Sequence, residues 1–237
     1  MPSTLAEIQK AYNLLVGGID EKAHAEDEEG NRAYGGAIRA AKGALVERIA
    51  QLLVEIAWDE MGCEPGRLDF RREVVRVPLK TEYLRRVRPQ AVADYIRAHI
   101  GNYFYGLRAD VHVNVDGRFV MGIECKAYTE NAMLKRVLVD FTLLRQVVPE
   151  LRCVLLQLES QLTGDYSEPL KDVCYGSPST HTLLSYFDVD LKIITLLEGE
   201  RRIDKPIHKQ GCFKELTEPA LRKAVDTFKE LLGDFAN

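Results

Sequence analysis

The stretch Ala109-Asp-Val-His-Val-Asn-Val-Asp-Gly-Arg-Phe-Val-Met-Gly-Ile-Glu-Cys-Lys126 decides the fold. Two runs of alternating apolar and polar residues flank Asp116-Gly117, which is the pattern of two strands joined by a tight turn. A three-residue loop, Val115-Asp116-Gly117, would put Gly117 in the left-handed conformation of a bulged turn. Asn114 then faces Arg118, and Asp110 faces Gly122. In that register Val111, Val113, Phe119, Met121, Ile123 and Cys125 share one face, and that face belongs in a core. Asp110, His112, Asn114, Arg118, Glu124 and Lys126 share the other. A two-residue loop shifts the pairing by one and mixes the faces. The pattern therefore selects the odd loop, which sets Asp110 beside Glu124 with Lys126 one step further along.

Two carboxylates converging on one point repel each other unless a cation lies between them. A donor set of hard oxygens, without His or Cys, suits Mg²⁺. A lysine two residues on, on the same face, can hold a water and stabilise charge developing on a phosphate. Gly122 leaves room for a substrate backbone or a metal. The strand carrying Glu124 and Lys126 is otherwise apolar and runs into a helix, so it is read as central, where unpaired charge is costly. His112 shares the charged face and is either a phosphate contact or a solvated strand histidine. A rival acid-x-Lys, Asp190-Leu191-Lys192, has no preceding hairpin to supply a second acid. The five histidines lack zinc spacing, and the five cysteines lack a CxxC pair.

Outward from the hairpin, the periodicities predict helices over 3–16, 31–61, 89–101, 130–147 and 217–235. They predict strands over 68–79, 109–115, 118–126, 152–159 and 189–198. The segment 160–181 reads as a long loop, and 20–30 as an acidic exposed one. No repeat or linker interrupts the chain, so residues 1–237 are expected to form a single α/β domain, a central mixed β-sheet flanked by helices.

The 237 residues are 46% hydrophobic and 29% charged with a net charge of −4, an ordinary globular balance. The signs are segregated. Residues 20–29 are acidic, while 67–88 and 201–214 are basic, and a basic stripe binds phosphates even on an acidic protein. No apolar run reaches the roughly 20 residues of a membrane helix. The start MPSTLAEIQK has no signal-peptide pattern, so a cytoplasmic location is expected.

An Asp on the first strand and Glu-x-Lys on the second, after a glutamate-bearing helix and before a helix and a strand, resembles the PD-(D/E)xK nuclease superfamily. The resemblance covers about 43–159, and the superfamily's best-populated branch with a single domain of this size is the type II restriction endonucleases. It implies a restriction endonuclease-like fold and Mg²⁺-dependent, site-specific hydrolysis of double-stranded DNA. It makes Asp110 and Glu124 metal ligands, Lys126 the catalytic lysine, and the backbone carbonyl of Cys125 a further ligand. The proline that commonly precedes the aspartate is Ala109 here. The family's helix glutamate is expected at Glu47, with Glu55 as the alternative. DNA contacts are expected from Tyr128, Asn131 and Lys135 after the catalytic strand, with Arg136 and Thr129 beside them. Further contacts are expected over 160–214, from Lys171, Ser179, Arg201, Arg202, Lys205 and Lys209. Cutting both strands of a palindrome favours a homodimer. The alternatives are a repair nuclease or junction resolvase, and a catalytically silent DNA-binding protein of the same fold.

Overall fold

The computed structural model describes residues 4–17, 34–162, 177–205, 207 and 211–236. The acidic loop, most of the 160–181 loop, Lys171 and Lys209 lie outside the described residues. The elements run α1 (Leu5–Gly17), α2 (Tyr34–Glu60), β1 (Leu68–Phe70), β2 (Val75–Pro78), α3 (Gln90–Ala98), β3 (Phe104–Leu107), β4 (Val111–Val115) and β5 (Arg118–Glu130). They continue with α4 (Asn131–Arg145), β6 (Arg152–Gln161), α5 (Pro178–Ser185), β7 (Leu191–Thr195) and α6 (Glu218–Leu232).

Five strands form one mixed sheet in the order β1-β4-β5-β6-β7. β1, β4 and β5 pair antiparallel, whereas β5, β6 and β7 run parallel. The near-continuous apolar run of β6, Cys153-Val-Leu-Leu, fits a strand covered on both faces. One face packs on α1, α2 and α6 through a core that includes Tyr12, Leu53, Trp58, Val113, Ile123, Leu156 and Phe228. The other packs on α4 and the β2–β3 pair through Val77, Leu107, Leu134, Leu138, Phe141 and Leu155. This is the α/β architecture expected from the sequence. Local signals set the helix ends. Thr4 and Glu7 cap α1 reciprocally, with Thr4 N donating to Glu7 Oε2 at 2.8 Å and Glu7 N to Thr4 Oγ1 at 3.3 Å. Thr217 caps α6 by accepting from Ala220 N.

The hairpin differs from expectation in an instructive way. Its turn has two residues, Asp116 (φ 51°) and Gly117 (φ 74°), both left-handed. Val115 pairs with Arg118 and Asn114 with Phe119, but Val113 pairs with Met121 and His112 with Gly122. Val120 is therefore the extra residue of a β-bulge. The bulge supplies the one-residue shift that was assigned to the loop. Beyond it the face parity is the expected one, but the pairing is displaced by two residues: Gly122 opposes His112 rather than Asp110, and Val111 opposes Ile123. Phe119 is corrected to the opposite face, where it joins the α4-side core. Val120 and Met121 both enter the α2-side core.

Three other elements depart from the sequence reading. The expected strand over 68–79 is two strands in two sheets, because the charged Arg71-Arg72-Glu73 separates a β1 paired with β4 from a β2 paired with β3. β3 was not anticipated; its Phe104 and Tyr105 are exposed, and its Gly106 lies close against Val74. α5 occupies part of the expected loop, with Ser177 as N-cap and Pro178 in its first turn. β7 is shorter than the predicted 189–198.

Candidate active site

β5 outruns β4. β4 begins at Val111, opposite Ile123, so from Glu124 onward β5 keeps β6 on one side while its other edge is open. Asp110 turns in at that edge, accepting a hydrogen bond from Cys125 N to Oδ2 at 2.8 Å. Glu124 and Lys126, two residues apart, project from the α4 face of the strand. Lys126 Nζ donates to Asp110 Oδ2 at 2.8 Å and to Glu124 Oε2 at 2.7 Å. Asp110 Oδ1 and Glu124 Oε1 receive no hydrogen bond from any described residue. The three side chains open into a cleft of about 220 Å³ that is also lined by Arg108, Met133, Arg136, Val137 and Asp140. The cleft opens on the α4 face beside the middle of the parallel ladder, where Glu124 is level with Leu155 and Lys126 with Gln157.

Burial raises the Glu124 carboxyl to about 7, aided by the Asp110 charge and opposed by Lys126. Burial also works against the charge on Lys126, but the Glu124 and Asp110 carboxylates outweigh it and the net shift is upward. The ammonium is thus held charged by the two groups it bridges. Asp140, 3.7 Å from Arg136 one helical turn away, is raised by its own burial.

The face that was expected to be open is closed over most of its length. His112 is 2% exposed, stacks on Phe119 at 4.2 Å, and accepts a hydrogen bond from Ala109 N at 3.1 Å. Burial lowers its pKa. It is a neutral core histidine that shapes the approach to Asp110, not a phosphate contact. Gly122 faces Phe141, and an added Cβ would come within 3.0 Å of that ring, so the space opposite it is filled by protein. Cys125 turns its thiol into the α2-side core, where burial holds it well above its usual pKa.

Glu47 lies on α2 with its carboxylate paired to Arg72, and it is not among the residues that line the cleft. Glu55 pairs with Arg48 at 4.0 Å. Asn131 is held by Ser179 and Thr180 of α5, with Thr180 Oγ1 donating to Asn131 Oδ1 at 2.7 Å. Thr129 is fully buried. Lys135, Arg202 and Lys205 are exposed. The Arg201 guanidinium lies 3.7 Å from the centre of the Tyr128 ring. The rival Asp190 precedes β7 and Lys192 sits near its start, two strands from β5; Lys192 is level with Ile123 and so lies on the opposite face of the sheet from Glu124. Arg108 and Asp140 escaped the sequence reading. Arg108 stands before a strand it does not join, and Asp140 looks like the exposed partner of an i, i+4 pair.

A buried Glu124 and a half-buried Asp110 bridged by a lysine of the central strand define an enzyme-like polar cleft. No family model matches the chain. It is 48% identical over 225 residues to the type II restriction enzyme DdeI of Desulfomicrobium norvegicum, a match covering 94% of this chain and 93% of that protein. The chain belongs to the type II restriction enzymes. Among the described residues, no helix is long and apolar enough to cross a membrane.

Proposed function

We propose that this chain hydrolyses phosphodiester bonds at a specific sequence in double-stranded DNA, acting as a homodimer with Mg²⁺ held by Asp110 and Glu124, in a fold of the PD-(D/E)xK nuclease kind. The convergence of Lys126 Nζ on one oxygen of each carboxylate, at 2.8 and 2.7 Å, carries the proposal. Each carboxylate keeps a second oxygen without a donor among the described residues. Among the described residues, no group of three or more His, Cys, Asp or Glu could hold a metal ion. A sparse set of carboxylate oxygens suits Mg²⁺, which keeps several waters and takes one or two protein carboxylates. The backbone carbonyl of Cys125 on the same strand is the further ligand in this reading. The bound ion would supply Lewis-acid stabilisation of charge on the phosphate.

The protein groups have separable tasks. Asp110 and Glu124 fix position and supply negative charge. Lys126, kept cationic by both, orients the attacking water and offsets charge growing on the phosphate oxygens. Arg108 and Arg136 on the rim hold the flanking backbone. Tyr128, Asn131, Lys135, Ser179, Arg201, Arg202 and Lys205, with Lys171 and Lys209, remain the DNA-contact set. Glu47 takes second rank because Arg72 occupies its carboxylate. Supercoiled plasmid incubated with Mg²⁺ tests the whole reading. Discrete fragments from the wild type, and none from Glu124→Gln, are expected. Structure-dependent nicking would favour a repair nuclease or resolvase, and uncut plasmid a silent binder.

A further inference from the structure

Arg201 is restrained more than a surface arginine needs to be. Its backbone N donates to Ser160 O at 2.7 Å, which adds its segment to the end of β6. Lys214 secures the two preceding residues, donating from Nζ to Gly199 O at 3.0 Å and Glu200 O at 3.3 Å. Lys214 is itself paired with the buried Glu159 at 3.0 Å. The guanidinium stacks on Tyr128, and Nη1 donates to Gln161 Oε1. Among the described residues, none accepts a hydrogen bond from Nε or Nη2. Stacking and the Gln161 bond remove much of the rotamer freedom a long side chain otherwise loses on binding.

The place of this fork is informative. Tyr128 is two residues beyond Lys126 on the same face of β5, so it stands about 6.6 Å further along the strand. That is about two nucleotides of duplex rise from the catalytic lysine. The setting disfavours a phosphate. Glu130, exposed at the end of β5, pairs in register with Gln161. An exposed carboxylate repels a fully charged phosphate more than the edge of a base. Lys126, Arg108 and Arg136 already provide cations in the cleft for the backbone.

On the reading given under Proposed function, we infer that Arg201, stacked on Tyr128 and held by Gln161, is a specificity-determining residue that donates a bidentate pair of hydrogen bonds to O6 and N7 of one guanine in the recognition sequence.

The recognition sequence is first mapped from the ends of wild-type plasmid fragments. Cleavage rates are then measured on duplexes carrying each single base-pair substitution, for the wild type and Arg201→Lys. Arg201→Lys keeps the charge and loses the fork. It should lower kcat/KM on the cognate duplex by about 5- to 150-fold, the span of one lost bidentate base contact. Discrimination at a single G·C pair should vanish while every other position stays selective, which also shows that the variant is folded. A uniform loss on all duplexes, with a shallower salt dependence, would mean a phosphate contact and overturn the inference. Unchanged base preferences would overturn it too. A wild-type chain that gives no discrete fragments removes the nuclease reading itself.

Discussion

At the scale of single residues, the cleft joins two opposed demands on Glu124. To act as the proposed metal ligand it must be ionised, yet burial pushes its carboxyl up to about 7. A metal ligand must be deprotonated, so proton and metal compete. Ca²⁺ binding followed by calorimetry should weaken as pH falls below about 7, approaching about tenfold per pH unit for one competing proton. An affinity flat across this range would remove Glu124 from the ligand set. For folding without metal the sign is opposite. A carboxyl raised on folding contributes stability that is complete below the unfolded value near 4.5 and lost as pH rises through about 7. Lys126→Ala should lower the cleavage rate by about 10²- to 10³-fold, the cost of losing one charge-stabilising donor. DNA binding in Ca²⁺ should persist in this variant, as gel shift would show. Glu47→Gln should cost far less, since that carboxylate faces Arg72.

Elements show where sequence is legible and where it is not. The hairpin, β6 and the helices on either side were readable because alternation, apolar runs and caps are local patterns. Lys126 and both acids were found for the same reason. β3 was not readable, because its pairing with β2 joins Val75 to Leu107 across a long stretch of chain and leaves aromatic side chains outward. Asp140 was not readable either. Its place in the cleft depends on α4 docking through Val137 and Phe141, which no short pattern records. Gly122 is a test of that docking. Its ladder partner is His112, and a methyl there would meet Phe141 at 3.0 Å and Ala109 and Phe119 at 3.4 Å. Gly122→Ala should therefore destabilise by about 1–3 kcal/mol, the usual cost of overpacking. Urea unfolding that matches the wild type would mean that α4 yields.

For the molecule as a whole, net charge misleads. The chain carries −4, yet residues 67–108 hold ten Lys or Arg against four Asp or Glu. Arg71, Arg72, Arg76, Lys80, Arg85, Arg86 and Arg88 in that segment are all exposed. β2, β3 and α3 thus form a cationic flank beside an acidic remainder, and neutralising phosphates there releases counterions. The logarithm of DNA affinity should fall linearly with the logarithm of salt. Each phosphate contact removed by substitutions such as Arg85→Glu should reduce the slope by about 0.9. The loss should be the same for specific and unrelated duplexes, unlike the position-selective effect expected of Arg201. Equal salt slopes for wild type and variant would make this flank a solvated surface only. Sedimentation equilibrium should give twice the mass of one chain, in keeping with symmetric cutting.

The Val120 bulge gives β5 one link of slack. A residue lost anywhere from Phe119 to Ile123 can be absorbed by straightening that kink, because 124 then still arrives opposite 110. A residue gained has no such refuge, since the strand must either bulge twice or roll its carboxylate into the α2-side core. The hairpin should therefore tolerate shortening far better than lengthening. Deleting Val120 forfeits the burial of one valine, about 1.5–3 kcal/mol, and leaves the cleft assembled. Inserting one alanine after it should abolish Ca²⁺ binding altogether.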